Sequence, residues 1–502
     1  MDQNSVILLC VAVYMLMCIG IGLWAMRRTK STKDFFMAGR NLGIFVTAIA
    51  IFSSAMSGFG FVGGPGLVYR MGMSSAWIFI TTPLGYALAF FLLGKRIRLF
   101  AELRESISLP DTVAARYNSE LSRGLTGLAI LLGVMGYLAT QILAMSKVLQ
   151  VILNENEFLC ANVFNGQVSL EACVVFSSAV LVFYCVTGGI IASVYTDLVQ
   201  GFIMIVAAIL IFFTARSAFE GGFAGMSMTI MNDDAEAIGP WGTLGMLGCL
   251  SWFFVFTVGL VGQPHMMTKM MMYRRIRDAK YILPVTLASY VLSALLWLSI
   301  GLVMRALVLQ GAHADLPDSD AAVSQFLQVY AHPLLAGVVI AGLFAAIMST
   351  ADSFLNIGAA AVVHDIPTSI MGRPLKNELF WARAATVIIT AAAAIFGLYI
   401  GDLVALLGAF GWGTFAAALV PVAAIGLNWK QATPLAANVA IISSIAVNFG
   451  IKLASRFWGF SVPYSIDTGA LALLVSLTLF FAISLLSKPP KIDADISAVM
   501  DL

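Results

Sequence analysis

The sequence predicts an all-α polytopic membrane protein that crosses the bilayer about thirteen times. Of its 502 residues, 60% are hydrophobic and 11% are charged, and the mean hydropathy is +0.94. A soluble globular protein carries about 25% charged residues. The apolar stretches recur at lengths that fit membrane-spanning helices, and the basic residues concentrate in alternate loops. The net charge of +2 gives no indication of nucleic-acid binding.

The apolar stretches divide almost the whole chain into spans. Roughly 20 residues of helix cross the hydrocarbon core of a bilayer. The predicted spans are residues 6–26, 41–67, 74–94, 124–153, 171–188, 193–215, 240–267, 281–309, 333–363, 380–400, 403–427, 432–454 and 466–487. The first stretch lacks a basic leading segment and a small-residue cleavage site, which predicts a retained span rather than a signal peptide.

The loop charges predict the orientation. Most lysines and arginines, such as Arg27, Arg28 and Lys95, follow odd-numbered spans, whereas acidic residues such as Asp233 and Asp234 lie in the opposite loops. Cytoplasmic loops carry an excess of basic residues. We therefore expect the N-terminus outside and the C-terminus in the cytoplasm. The expected location is the plasma membrane, which is the inner membrane in a bacterium.

Glycine and proline interrupt two spans at matching positions. The second span contains SSAMSGFGFVGGPG (53–66), and the seventh contains VGLVGQPH (258–265). Interrupted helices at corresponding positions of two halves indicate an inverted-repeat transporter with a site near mid-membrane. Glycine-mediated helix packing is the alternative, but proline in both breaks favours the repeat.

The two breaks also predict how one transmembrane domain, residues 1–502, is organised. A leading helix and loop occupy 1–40, and two five-helix repeats occupy 41–230 and 231–430. Two trailing helices and a short cytoplasmic tail occupy 431–502.

A polar stretch, AAIMSTADS (345–353), lies in the ninth span. A helix places Ala346, Ser349, Thr350 and Ser353 on one face, with Asp352 beside them. Polar groups at membrane depth usually face a bundle interior or a pathway. Each hydroxyl could instead bond back to its own helix. The cluster with a carboxylate beside it favours a site for a hard cation.

Several motifs together resemble the sodium:solute symporter family, and in particular its proline-transporting branch. They are DFFMAGRNLG (34–43), MSGFGFVGGPG (56–66), SLPDTVAARY (108–117), GGIIASVYTDLVQG (188–201), GQPH (262–265) and AAIMSTADS (345–353). The resemblance implies the LeuT-type inverted five-plus-five fold, with one helix before the core and further helices after it. It also implies a sodium-coupled symporter that imports a small organic solute by alternating access. The implied partners are the solute, sodium as the coupling ion and the lipid bilayer. No organic cofactor, enzymatic activity, nucleic acid or obligatory protein partner is expected.

The resemblance also implies a sodium site between the second and ninth spans. Its ligands would be backbone carbonyls at Ser53, Met56 and Ala346 and the hydroxyls of Ser349 and Thr350. Neutral oxygens suit sodium, and a site without a charged ligand would bind weakly and release its ion readily.

A second cation or proton site is implied for some members of the family. Asp197 matches their carboxylate, and Ser349 and Ser353 match their hydroxyl ligands, while Asp352 stands where those relatives have Ser or Thr. The added carboxylate could strengthen a cation site or carry a proton. A helix cap or helix contact is the alternative for Asp197.

The implied substrate pocket departs from the proline-type pattern. Its candidate residues are Ser57, Gly58, Tyr137, Phe256, Leu260 and Gln263. Phe256 and Leu260 replace an expected Trp and Tyr, and Ala55 replaces an Asp. The broken helix would offer free N–H groups to a carboxylate. An amino acid such as proline and a small monocarboxylate therefore both remain candidates.

Three alternatives to sodium symport follow from the same residues. Proton coupling could use Asp197 or Asp352, and a transporter-like solute sensor is conceivable, although the short tail carries no signalling domain. An intramembrane enzyme has no support, because no GxSxG or HExxH motif is present. The sequence leaves open whether Cys160 and Cys173 pair.

Overall fold

A computed structural model of the chain describes residues 3–26, 32–154, 160, 166–400 and 404–502. Eleven helices in these residues are long and apolar enough to cross a membrane. Two shorter apolar helices, Ile44–Ala55 and Leu170–Phe183, coincide with predicted spans. The described residues contain no β-strand, so the all-α membrane class is confirmed, and the predicted count of thirteen spans is approximate.

The helices of the first half include both long spans and short connecting pieces. They are α1 (Gln3–Met26), α2 (Thr32–Met37), α3 (Ile44–Ala55), α4 (Gly64–Met71), α5 (Ala76–Leu92), α6 (Arg96–Leu103), α7 (Leu109–Tyr117), α8 (Glu120–Asn154), α9 (Leu170–Ser217) and α10 (Gly222–Asp233).

The second half follows the same alternation of long and short helices. It comprises α11 (Ala235–Ile238), α12 (Gly245–Phe253), α13 (Pro264–Met270), α14 (Ala279–Leu309), α15 (Ala322–Tyr330), α16 (Pro333–Ala360), α17 (Ile366–Met371), α18 (Glu378–Ile400), α19 (Val404–Leu419), α20 (Pro434–Trp458), α21 (Thr468–Leu486) and α22 (Ala494–Met500).

Polar residues before several spans explain where those helices begin. The side chain of Ser169 accepts a hydrogen bond at the start of α9, and Thr433 and Asp467 do the same for α20 and α21. Such caps satisfy amides that have no partner within the helix. Proline follows Thr433 directly, at the first helical position where its missing N–H costs nothing.

Both predicted helix breaks are present. The helix α3 ends at Ala55, Met56 leaves helical geometry with φ −85° and ψ 89°, and a π-helical turn then leads into α4. The second break lies at Gln263, which is extended with φ −76° and ψ 115° directly before α13. A parallel backbone bridge between Leu42 and Tyr273 joins the segment before α3 to the segment after α13. The two broken helices are therefore tied to each other away from their breaks.

The predicted fifth and sixth spans correspond to two helical segments, numbered together as α9, that are separated by a kink. Gly189 lies at the kink with φ +57° and ψ −167°, a conformation that side chains with a Cβ rarely adopt. The kink lets α9 pack against α1, α3, α14 and α16. It therefore borders the two elements, α3 and α16, that carry the predicted sodium ligands.

Ion pairs connect the segment before α15 and the C-terminal tail to the rest of the protein. Lys147 Nζ on α8 contacts Asp318 Oδ2 at 2.5 Å and Asp320 Oδ2 at 2.7 Å. Burial raises the pKa of Asp320, while the ammonium of Lys147 opposes that shift. Near the C-terminus, Asp493 Oδ2, before α22, lies 2.6 Å from Arg104 Nη2, so the tail is folded against the protein.

Candidate functional site

Two clusters of buried polar groups, here called pockets, contact α3. The first, here the neutral pocket, consists of the carbonyls of Ser53 and Ala346 and the hydroxyls of Ser349 and Thr350. Ser349 Oγ donates to the Ser53 carbonyl at 3.1 Å and lies 3.1 Å from the Ala346 carbonyl. These contacts bring predicted ligands of both helices together in one place.

Thr350, the residue after Ser349 on α16, contacts the next carbonyl along α3. Its hydroxyl donates to the carbonyl of Ser54 at 3.1 Å and to that of Ala346 at 3.0 Å. Both hydroxyls are fully buried. Met56 follows the last residue of α3, so its carbonyl is not held in the helical ladder of that segment. A hard cation bound here would find neutral oxygens and no net charge.

The second pocket, here the charged pocket, consists of Asp197, Ser193, Asp352 and Lys269. The Nζ of Lys269 on α13 lies 2.8 Å from Asp197 Oδ2, and both side chains are at most 1% exposed. The same ammonium donates to the Ala50 carbonyl of α3 at 2.9 Å. Asp197 therefore has a cationic partner that belongs to the chain itself.

Asp352 occupies the other part of the charged pocket. Its Oδ1 accepts from Ser193 Oγ at 2.8 Å and from Ser353 Oγ at 3.3 Å. Ser193 lies one helical turn before Asp197 on α9, so the two carboxylates border successive turns of one helix. Ser353 Oγ also bonds back to the Ser349 carbonyl at 2.9 Å.

The first helix break brings three predicted substrate residues together. Ser57 Oγ and Tyr137 Oη are 3.0 Å apart. The Gly58 amide donates to Gln141 Oε1 at 2.9 Å, and the Phe59 amide donates to Ser57 Oγ at 3.1 Å. These two amides already have partners, so the break is a weaker anion site than the sequence suggests.

Gly58 is required here by close packing. A Cβ at this position would lie 2.7 Å from the Cβ of Ala144 and 3.0 Å from Ile347 Cγ1. The glycine therefore lets α8 and α16 approach the first break.

Aromatic side chains surround a small central cavity of about 10 Å³. Its lining includes Phe59, Phe256, Trp297 and Trp412. The Phe256 ring stacks on Trp412 with centroids 5.5 Å apart and on Phe59 at 5.8 Å. Leu260 does not line this cavity, and its side chain packs against Gly85 of α5.

Two residues that line this cavity, Trp297 and Trp412, have buried indole nitrogens with no hydrogen-bond partner among the described residues. Gln263 Oε1 and both ring nitrogens of His265 are also buried without a partner, but these two residues contact Trp412 rather than line the cavity. Gln263 is anchored by its Nε2, which donates to the carbonyls of Gly259 at 3.1 Å and Trp412 at 3.2 Å. Buried polar groups are normally paired, so a cluster of such atoms is typical of a ligand site.

Sequence reasoning missed several of these residues. Lys269 lies within a methionine-rich run, but an isolated lysine inside an apolar span was a usable signal. Gln141 was detectable in the same way. Trp297 and Trp412 carried no signal, because aromatic residues in a span are as common in helix packing as in a binding site.

Cys160 and Cys173, whose pairing the sequence leaves open, are free thiols.

Comparison with known sequences places most of the chain in one family profile. The profile of the sodium:solute symporter family matches residues 35–444. The high-affinity proline transporter PutP of Bacillus subtilis (strain 168) is 27% identical over 482 residues, covering 94% of this chain and 96% of that protein. The sodium/proline symporter of Staphylococcus aureus (strain JH9) is 26% identical over 521 residues, covering 100% and 97%.

Solved structures give the same fold. A Na⁺-coupled sialic acid symporter in its substrate-bound outward-open state has a TM-score of 0.74 at 18% identity, covering 98% of this chain and 100% of that chain. MhsT in complex with L-phenylalanine has a TM-score of 0.51 at 12% identity, covering 89% and 98%. The predicted LeuT-type inverted five-plus-five fold is confirmed.

Proposed function

The chain belongs to the sodium:solute symporter family, whose activity is sodium-coupled symport of a small solute, and we propose that its solute is a small zwitterionic amino acid such as proline. The relatives named as proline transporters match nearly the full length of the chain. Sodium would bind in the neutral pocket, and the solute would bind at the aromatic cavity in a conformation in which that cavity is wider than the roughly 10 Å³ seen here. The solute is moved unchanged, so the proposal involves no organic cofactor.

The observation that carries the choice of solute is a set of unpaired buried atoms, two at the aromatic cavity and one on Gln263 next to Trp412. The indole N–H groups of Trp297 and Trp412 are donors that suit a carboxylate, and Gln263 Oε1 is an acceptor that suits an ammonium. Donors and acceptors together fit a zwitterion. The faces of Phe256 and Trp412 add a surface for the cationic end and the apolar body of the solute.

A small monocarboxylate is the second candidate. None of the described residues that line the cavity is acidic, so no full negative charge there pairs with a solute ammonium. A monocarboxylate would use the indole donors alone. The two candidates therefore differ in whether Gln263 Oε1 gains a partner.

Sodium binding in the neutral pocket would couple α3, which ends at the first helix break, to α16. An ion held by carbonyls of α3 and hydroxyls of α16 fixes these helices relative to each other, and it shifts the population toward the form in which both contacts exist. Within this proposal the N-terminus lies outside, the C-terminus lies in the cytoplasm, and the repeats occupy 41–230 and 231–430.

Uptake into proteoliposomes tests the proposal. Labelled proline, other small amino acids and short monocarboxylates are each supplied with an inward sodium gradient and, separately, with an inward proton gradient. We expect sodium-driven accumulation of a zwitterion. Accumulation driven by protons alone, or solute binding without accumulation, would contradict the proposal and favour proton coupling or a sensor.

The variant Trp412→Phe makes the same assay specific to the cavity. It keeps an aromatic ring and removes the indole N–H, so KM for the solute should rise about tenfold, as for a loss of ~1.4 kcal/mol of binding free energy. The sodium concentration for half-maximal uptake should stay near the wild-type value. Equal KM values in both proteins would remove Trp412 from the proposed site.

A further inference from the structure

We propose that the Lys269 ammonium is a resident cation of the charged pocket, so that the transporter binds a single sodium ion, in the neutral pocket. Nothing in the sequence comparison assigns this lysine a role. The proposal concerns the number of coupling ions, which the family membership leaves open.

The contacts of Lys269 are those of a bound monovalent cation. Its Nζ lies 2.8 Å from a carboxylate oxygen of Asp197 and 2.9 Å from the carbonyl of Ala50. A carboxylate and a backbone carbonyl are also the oxygen types that a hard metal cation selects. The ammonium therefore uses ligands that a second sodium ion would need.

Burial makes this occupancy exclusive. Lys269 is 1% exposed and Asp197 is 0% exposed, so water screens their charges little. A sodium ion next to Asp197 would lie close to the ammonium, and the two like charges would repel strongly at low dielectric. The ammonium cannot leave as a free ion does, because its side chain is part of α13.

The two carboxylates of the charged pocket have different partners. Lys269 pairs with Asp197, whereas Asp352 Oδ1 accepts from the hydroxyls of Ser193 and Ser353. The charge of Asp197, which would attract a second sodium ion, is therefore already balanced by a cation of the chain.

The position of Lys269 also suits a fixed cation. It joins α13, which follows the second break, to α3, which precedes the first break, and to α9. A mobile ion at this point would connect the same three helices only while bound. The lysine makes the connection permanent in this conformation and leaves the coupling to the neutral pocket.

The test is equilibrium binding of ²²Na⁺ to purified full-length protein in lipid nanodiscs, together with the Hill coefficient for sodium-dependent thermal stabilisation. No solute is needed, so the result does not depend on the proposed substrate. The variants are Lys269→Met and the neutral pair Asp197→Asn/Lys269→Met. Lys147→Met is the control, because it removes an ion-paired lysine from a different cluster.

We expect about one sodium ion per chain and a Hill coefficient near one for the wild type, the neutral pair and the control, since none of them leaves Asp197 as a carboxylate without its ammonium. Lys269→Met should bind about two ions per chain, because Asp197 then lacks its ammonium. Two ions in the wild type with one in the neutral pair would overturn the proposal. One ion in folded Lys269→Met would also overturn it. Where Lys269→Met does not fold, the numbers of sodium ions bound by the wild type and the neutral pair decide whether the proposal holds.

Discussion

The neutral pocket and the charged pocket differ in whether the chain supplies a cation of its own. Both border α3 and α16, and both are buried. The neutral pocket contains only carbonyls and hydroxyls, whose contacts with each other an ion can replace at little cost. The charged pocket contains an ammonium paired with a carboxylate. Burial and oxygen content are therefore insufficient to identify an ion site, because a cation from the chain itself can already fill it.

The largest effect is expected from removing one partner of the ion pair in the charged pocket. Lys269→Met leaves Asp197 buried without its ion pair, and the free energy of unfolding should fall by about 3–5 kcal/mol. Adding Asp197→Asn should restore most of the loss. Thermal melting of purified protein without sodium measures both changes. Equal melting temperatures for the wild type and Lys269→Met would show that the pair is not a stabilising contact.

A smaller and different effect is expected from the neutral pocket. Ser349→Ala removes one proposed ligand, so half-maximal uptake should need about tenfold more sodium, which corresponds to ~1.4 kcal/mol of binding free energy. The melting temperature without sodium should change little, because one neutral hydrogen bond contributes about 1 kcal/mol.

The matched control for the neutral pocket is Ser353→Ala. Its hydroxyl bonds back to the Ser349 carbonyl on the same helix and has no contact with α3 among the described residues. Sodium activation in this variant should stay near the wild-type curve. If the sodium concentration for half-maximal uptake rose as much as in Ser349→Ala, Ser353 would also belong to the neutral pocket.

The smallest effect is expected at the ion pairs near the end of α8. Lys147 is 22% exposed, whereas the Asp320 side chain is only 2% exposed but keeps the Val404 amide as a partner at 3.0 Å. Lys147→Met should therefore lower the free energy of unfolding by about 1 kcal/mol, because the buried carboxylate loses one partner and keeps another, and it should leave sodium activation unchanged. A loss comparable to that of Lys269→Met would remove the contrast between a pair with one partly exposed partner and a fully buried pair.

The fold was largely predictable because its signals are local. Apolar length predicted the spans, and glycine with proline predicted the breaks that the structure places at Met56 and Gln263. The kink at Gly189 falls between the predicted spans 171–188 and 193–215, but the sequence does not give its backbone conformation. Boundaries of this kind depend on backbone conformation that one glycine permits but does not require.

The site was predictable only where its residues lie on one helix. Ser349 and Thr350 were recognisable from their spacing on α16. The pairing of Asp197 with Lys269 joins residues on different helices, and no spacing rule relates them. The same holds for the amide of Gly58 and Gln141. Such contacts follow from tertiary packing, so a single sequence shows each partner but not the pair.

The central claim is that the Thr350 hydroxyl oxygen, in the neutral pocket, binds the coupling ion. Its most direct test is the sodium dependence of uptake by Thr350→Ser and Thr350→Ala. Serine keeps the oxygen and alanine removes it. The sodium concentration for half-maximal uptake should stay near wild type in Thr350→Ser and rise about tenfold or more in Thr350→Ala. The same sodium dependence in both variants would contradict the account.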